Sequence, residues 1–99
     1  MRRASAVDSN QAEIVAALRK VGCSVQSLAS VGNGCPDLAV GYRGRNLFFE
    51  VKDGRKVPSK RKLTPLEAEW HAAWRGEVFT VLCREDAFRV LEATMWPQL

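Results

Sequence analysis

Three charged residues interrupt an apolar stretch, CPDLAVGYRGRNLFFEVK, which runs from Cys35 to Lys52: Asp37 follows a proline, and Glu50 and Lys52 stand two apart. A two-residue loop at Arg43-Gly44 would pair Tyr42 with Arg45, and stepping outward from that pair brings Asp37 opposite Glu50. Alternation then puts Leu38, Val40, Leu47, Phe49 and Val51 on one face of the hairpin, and Asp37, Ala39, Phe48, Glu50 and Lys52 on the other. Two carboxylates whose Cβ atoms lie about 5 Å apart repel unless something positive binds between them. A divalent cation answers that need, Mg²⁺ taking oxygen ligands at about 2.1 Å and filling its octahedron with waters and a phosphate oxygen. Lys52, on the same face, points at whatever anion the cation holds, where it can orient a water or offset charge developing at phosphorus. This is a hydrolytic layout. The plainer alternative is a solvent-side ion pair between Glu50 and Lys52 on an edge strand, with Asp37 a turn residue after Pro36.

The flanking sequence supplies the elements that must hold this hairpin. Asp8 and Gln11 fit a capping box, and Ile14, Val15, Leu18 and Val21 recur at helical spacing until Gly22, which predicts a helix over 9–21. CSVQSLAS, 23–30, is β-permissive, with the sheet starting near Ser24, and VGNGCP is a Gly/Pro connection into the hairpin. DGRKVPSKRKL reads as a basic loop carrying Arg55, Lys56, Lys60, Arg61 and Lys62. LTPLEAEWHAAWRG carries a full set of helix signals: Thr64 as N-cap, Pro65 at the first position, Glu67 completing a capping box and Gly76 as the stop. Leu66, Trp70, Ala73 and Trp74 share one face of that helix, expected to pack on the sheet or a partner. EVFTVLC, 77–83, reads as a buried strand and 85–96 as a closing helix. The order is α-β-β-β-α-β-α, an α/β fold with a mixed sheet and helices on both faces.

Ninety-nine residues, 46% of them hydrophobic, fit one domain over 1–99 with a single core. Fifteen Lys plus Arg against eleven Asp plus Glu give a net charge of +4, which favours a polyanionic partner without naming one. The three cysteines, Cys23, Cys35 and Cys83, show neither a disulfide framework nor zinc-ligand spacing and are expected as reduced thiols of a cytoplasmic protein. No run approaches the ~20 apolar residues of a membrane span, and MRRASAVDSN lacks the apolar middle of a signal peptide.

The constellation Pro36-Asp37, then Glu50-Val51-Lys52, behind a helix bearing Glu13, resembles the PD-(D/E)xK nuclease superfamily. Within it, GCPDLAVG, FFEVKDG, the basic loop and LTPLEAEWHAAWRG are most similar to the VRR-NUC group, the virus-type replication-repair nucleases, over about Gln11 to Val90. The resemblance implies a restriction-endonuclease-like core and a Mg²⁺-dependent endonuclease acting on DNA phosphodiesters, with Mn²⁺ able to substitute. Asp37, Glu50 and the Val51 carbonyl would hold the metal, Glu13 would stand beside it, and Lys52 would be the catalytic lysine near the attacking water. It also implies a homodimer acting on branched DNA, in the manner of Holliday-junction resolvases, and is compatible with a phage-encoded protein in a bacterial host. Where the family often has glutamine, this chain has Glu67, whose capping role already accounts for it.

Around this core the remaining residues divide. The basic loop is expected to bind DNA phosphates. His71, the sole histidine, stands one helical turn after Glu67 where it could face a substrate, but it lacks apparent partners and reads as a helix-surface residue. Trp70 and Trp74 read as core or interface, and the apolar end MWPQL as compatible with an interface. The rival readings are a non-catalytic DNA-binding module on the same fold and an RNA or single-strand nuclease.

Overall fold

The computed structural model describes residues 8–95. Its elements are α1 (Gln11–Lys20), β1 (Ser24–Ser27), β2 (Leu38–Tyr42), β3 (Arg45–Val51), a short 3₁₀ turn (Pro58–Lys60), α2 (Pro65–Ala73), β4 (Val78–Val81) and α3 (Arg84–Met95). This is an α/β fold in which a four-stranded sheet, ordered β1-β2-β3-β4, is antiparallel through β3 and parallel between β3 and β4. Parallel pairing requires a crossover, and α2 provides it.

The hairpin forms in the expected register, with Tyr42 opposite Arg45 and Leu38 opposite Phe49. Arg43 (φ 51) and Gly44 (φ 80) both adopt left-handed conformations, the type I′ geometry whose twist matches that of the flanking strands. Leu38, Val40, Leu47, Phe49 and Val51 are all buried on the core face, packed with Val81 from β4, Ile14 and Leu18 from α1, and Ala87 and Leu91 from α3. Helices α1 and α3 therefore cover one face of the sheet. On the opposite face, Trp70 and Trp74 of α2 meet Phe48 edge-on.

Two local expectations are corrected. Helix α1 starts at Gln11 behind Asn10, and no side chain caps it; Asp8 contributes only its backbone carbonyl to the Gln11 N–H. Longer-range bonds outcompete the local box: the Asn10 amide donates to the carbonyls of Lys52 and Leu82, and the Asp8 carboxylate accepts from Lys56 at 3.0 Å. Helix α2 has its predicted capping box between Thr64 and Glu67 but ends at Ala73, with Trp74 extended, before Gly76 is reached. Its sheet-facing side includes Trp70 and Trp74 of the expected stripe, which meet Phe48, but not Leu66, which is 55% exposed, or Ala73. Glu67 and His71 turn toward the sheet with them, because the surface beneath carries Glu50 and Lys52 and needs polar partners. Trp96–Leu99, the bulk of the apolar end, lie outside the described residues.

Candidate active site

The site is built where the hairpin's charged face meets α2. Asp37, immediately before β2, accepts a hydrogen bond from the Val51 N–H at 2.7 Å, which fixes its carboxylate across the end of β3. Glu50 is 1% exposed and hydrogen-bonded to Asp37, so the two acids share one pocket. Burial first, then the bond to Asp37 and the charges of Asp37 and Glu67, push the Glu50 carboxyl up to about 10, with Lys52 opposing only in part. At neutral pH the metal-free pair therefore retains a proton.

Helix α2 supplies one partner each to Glu50, in β3, and Lys52, just beyond it. Glu67 Oε1 accepts from Lys52 Nζ at 2.8 Å and also from the Thr64 N–H at 2.8 Å, so the carboxylate that closes the helix cap also holds the lysine. Burial works to lower the Lys52 ammonium, but the Glu67 bond and the surrounding carboxylates outweigh it and raise its pKa. For Glu67 burial works upward and is overcome by the bonds from Lys52 and Thr64, so its pKa is lowered. His71, one turn on, places Nε2 3.3 Å from Glu50 Oε1, and burial lowers its pKa, leaving a neutral ring at pH 7. The start of α2 is fixed by a backbone contact as well: Gly34 (φ 81) lies so close to Leu66 that a Cβ would collide with the Leu66 carbonyl. A cleft of about 440 Å³ opens here, lined by Asp37, Lys52, Glu67, Cys35, Asp8 and Lys60.

Asp37, Glu50 and Lys52, the residues singled out in sequence, are thus brought together. The structure does not bring Glu13 to them. The Ile14–Leu18 stripe of α1 faces the core on the other side of the sheet, which leaves Glu13 exposed at the start of the helix, 3.8 Å from Arg84. It lines a second cleft of about 330 Å³ with Asn10, Asp53, Arg55 and Arg61. The basic loop is likewise divided. Arg55 is held by Asp53 through both its side chain and its N–H, and these bonds drive the Asp53 carboxyl far below its usual range. Lys56 is paired with Asp8, Lys60 lines the first cleft and Arg61 the second. Lys62 is exposed.

Glu67 and His71 are the contacts that sequence reasoning did not assign to the site. Their spacing of four, which places both on one helical face, is the signal that would have linked them.

Two adjacent carboxylates with a shared proton, beside a strand carbonyl and a lysine, form a donor set suited to a hard divalent cation that keeps several waters. Among the described residues no group of three or more His, Cys, Asp or Glu is arranged to hold a metal ion. Glu67 and His71 are turned to Lys52 and Glu50 instead, so the fit rests on two carboxylates and backbone oxygen. No helix among the described residues is long and apolar enough to cross a membrane. Comparison with protein families, with curated proteins and with solved structures gave no match for this chain.

Proposed function

We propose that this protein is a Mg²⁺-dependent endonuclease that hydrolyses DNA phosphodiester bonds, on a VRR-NUC-like, restriction-endonuclease-like core. One observation carries the reading: Glu50, fully buried, is pressed against Asp37 and kept protonated, with the Lys52 ammonium on the same face. Burying an acid beside another acid costs stability, and a bound cation turns that cost into affinity.

In this reading Asp37, Glu50 and the Val51 carbonyl hold Mg²⁺, with Mn²⁺ able to replace it. The cation supplies Lewis-acid polarisation of the phosphate and a lowered pKa for a coordinated water. The chain's own residues do the rest. Asp37 and Glu50 would hold the cation as carboxylates, their shared proton passing to solvent water. Lys52, charged and held by Glu67, leans on the scissile phosphate and orients the nucleophile. His71, neutral and against Glu50, keeps that carboxylate aimed. Lys60 and Lys62 offer phosphate contacts, and binding through them should fall steeply with salt and show little sequence preference. A homodimer acting on branched DNA belongs to the same proposal by family resemblance.

The test is incubation of the protein with labelled linear, flap and four-way-junction DNA, with and without Mg²⁺. Cleavage only with Mg²⁺ or Mn²⁺, abolished in Asp37→Ala, supports the enzyme. Binding without cleavage under every metal condition refutes it in favour of a DNA-binding module.

A further inference from the structure

Beside Glu50 on β3 stands an aromatic stack that the proposed chemistry leaves unused. Trp70 and Trp74 lie parallel, with ring centroids 4.6 Å apart and an interplanar angle of 15°, and Phe48 meets both edge-on at 5.6 and 5.0 Å. Gly76 passes so near that a Cβ would sit 2.8 Å from Trp74 Nε1. Trp74 is thus braced by Trp70 on one face and by Phe48 and Gly76 along its edges, yet it is 42% exposed. A large aromatic ring held rigid and left open to water is a binding surface prepared in advance, because little side-chain entropy remains to be lost.

We propose that this stack is a docking platform for an unpaired DNA base, which makes single-stranded or splayed DNA the substrate class of the neighbouring site; this rests on the nuclease reading above. Position supports it. Phe48 and Glu50 share a face two residues apart, so the platform begins about 7 Å along β3 from the acids. His71 bridges the interval, its ring 6.2 Å from that of Trp70 and its Nε2 3.3 Å from Glu50. A base on Trp74 therefore leads its strand past His71 and Glu50, so that a neighbouring phosphate is directed toward the cleft at the other end of α2. Charge supports it too: Arg75, exposed, follows Trp74, and Lys60 lines the cleft on a chain of net charge +4.

Other occupants fit less well. On and just after α2, the described residues offer only Leu66 and Trp74 as exposed large apolar side chains, a sparse apolar face for a second copy of the chain. Duplex DNA keeps its bases stacked and offers them only after unstacking. An unpaired base has two free faces, and stacking accepts any of the four.

The test uses the full chain in chelator, so that no cleavage intervenes. Fluorescence anisotropy compares a labelled oligothymidylate with a labelled hairpin duplex of equal nucleotide count. Trp74→Ala is expected to weaken oligothymidylate binding about tenfold and duplex binding by less than about twofold, with Trp74→Tyr restoring most of the loss. An equal effect on both ligands, or none on either, overturns the proposal. So does sedimentation showing a dimer that Trp74→Ala dissociates while oligothymidylate affinity stays unchanged. Binding unaffected by Trp74→Ala together with cleavage lost in Asp37→Ala removes the platform and leaves the nuclease. The reverse pattern removes the nuclease reading and keeps the binding contrast.

Discussion

Replacing Glu50 by glutamine should make the metal-free protein more stable. The buried carboxyl titrates at about 10 in the fold, against an ordinary value of 4.5. A group whose pKa is raised by folding adds stability that is complete below the unfolded value and is lost as pH climbs toward the folded one. At pH 7 the unfolded chain has gained the free energy of ionising Glu50 and the folded chain has not. At about 1.4 kcal/mol per pH unit above 4.5, the cost to the fold is about 3 kcal/mol, and at pH 5 it is under about 1 kcal/mol. Glutamine occupies the same volume, cannot ionise, and offers an amide N–H to Asp37 in place of the shared proton. Urea denaturation in chelator should therefore show Glu50→Gln ahead of the parent by about 3 kcal/mol at pH 7, a large part of a typical domain's stability, and by under about 1 kcal/mol at pH 5. Saturating Mg²⁺ should erase much of the difference, because only the parent gains stability by binding. An advantage that is the same at both pH values, or a less stable variant at pH 7, would refute the reasoning that Glu50 is held protonated against Asp37.

Asp37→Ala and Lys52→Ala should each lower cleavage of a flap or junction substrate by about 10²-fold or more, read as initial rates in Mg²⁺, while DNA binding at low salt persists. Glu67→Gln keeps an acceptor for the Thr64 N–H but strips Lys52 of its counter-charge; a loss of about 2 kcal/mol in urea midpoint analysis is expected, and Glu67→Ala should cost more because the helix cap goes with it. Gly34→Ala forces a left-handed alanine into the Leu66 carbonyl, so it should destabilise by at least about 1 kcal/mol and lower cleavage as well, since α2 carries Glu67 and His71 to the site.

What could be read from sequence was what short-range rules decide. The two residues of the Arg43-Gly44 loop fixed the register, and with it the approach of Asp37 to Glu50. Thr64, Pro65 and Glu67 announced α2 because cap chemistry is local. The side of α2 that meets the sheet was legible in part. Apolar patterning picked out Trp70 and Trp74, which meet Phe48, but also Leu66, which does not; the rotation that brings Glu67 and His71 inward is set by the charges beneath, a match between residues 15 and 21 positions apart. The same blindness affected Asp8, whose expected capping box with Gln11 gave way to Lys56, 48 residues distant, and Asn10, which binds Lys52 across 42 residues. Glu13 was eligible through the family resemblance alone. Which side of the sheet its helix covers follows from the whole core, and it is the side away from the acids.

The amide of Asn10 has a consequence for the order of assembly. Its two hydrogen bonds join the helix start to the ends of β3 and β4 across 42 and 72 residues. Contacts that close such large loops form late, after local hairpins and helices have already appeared. The Lys52 carbonyl is one of the two groups it clasps. The hairpin can thus pair early and hold its acids face to face, while the final pose of the lysine waits for these long-range closures. A folding intermediate arrested before that point should be compact and hairpin-bearing, yet inert toward phosphodiesters.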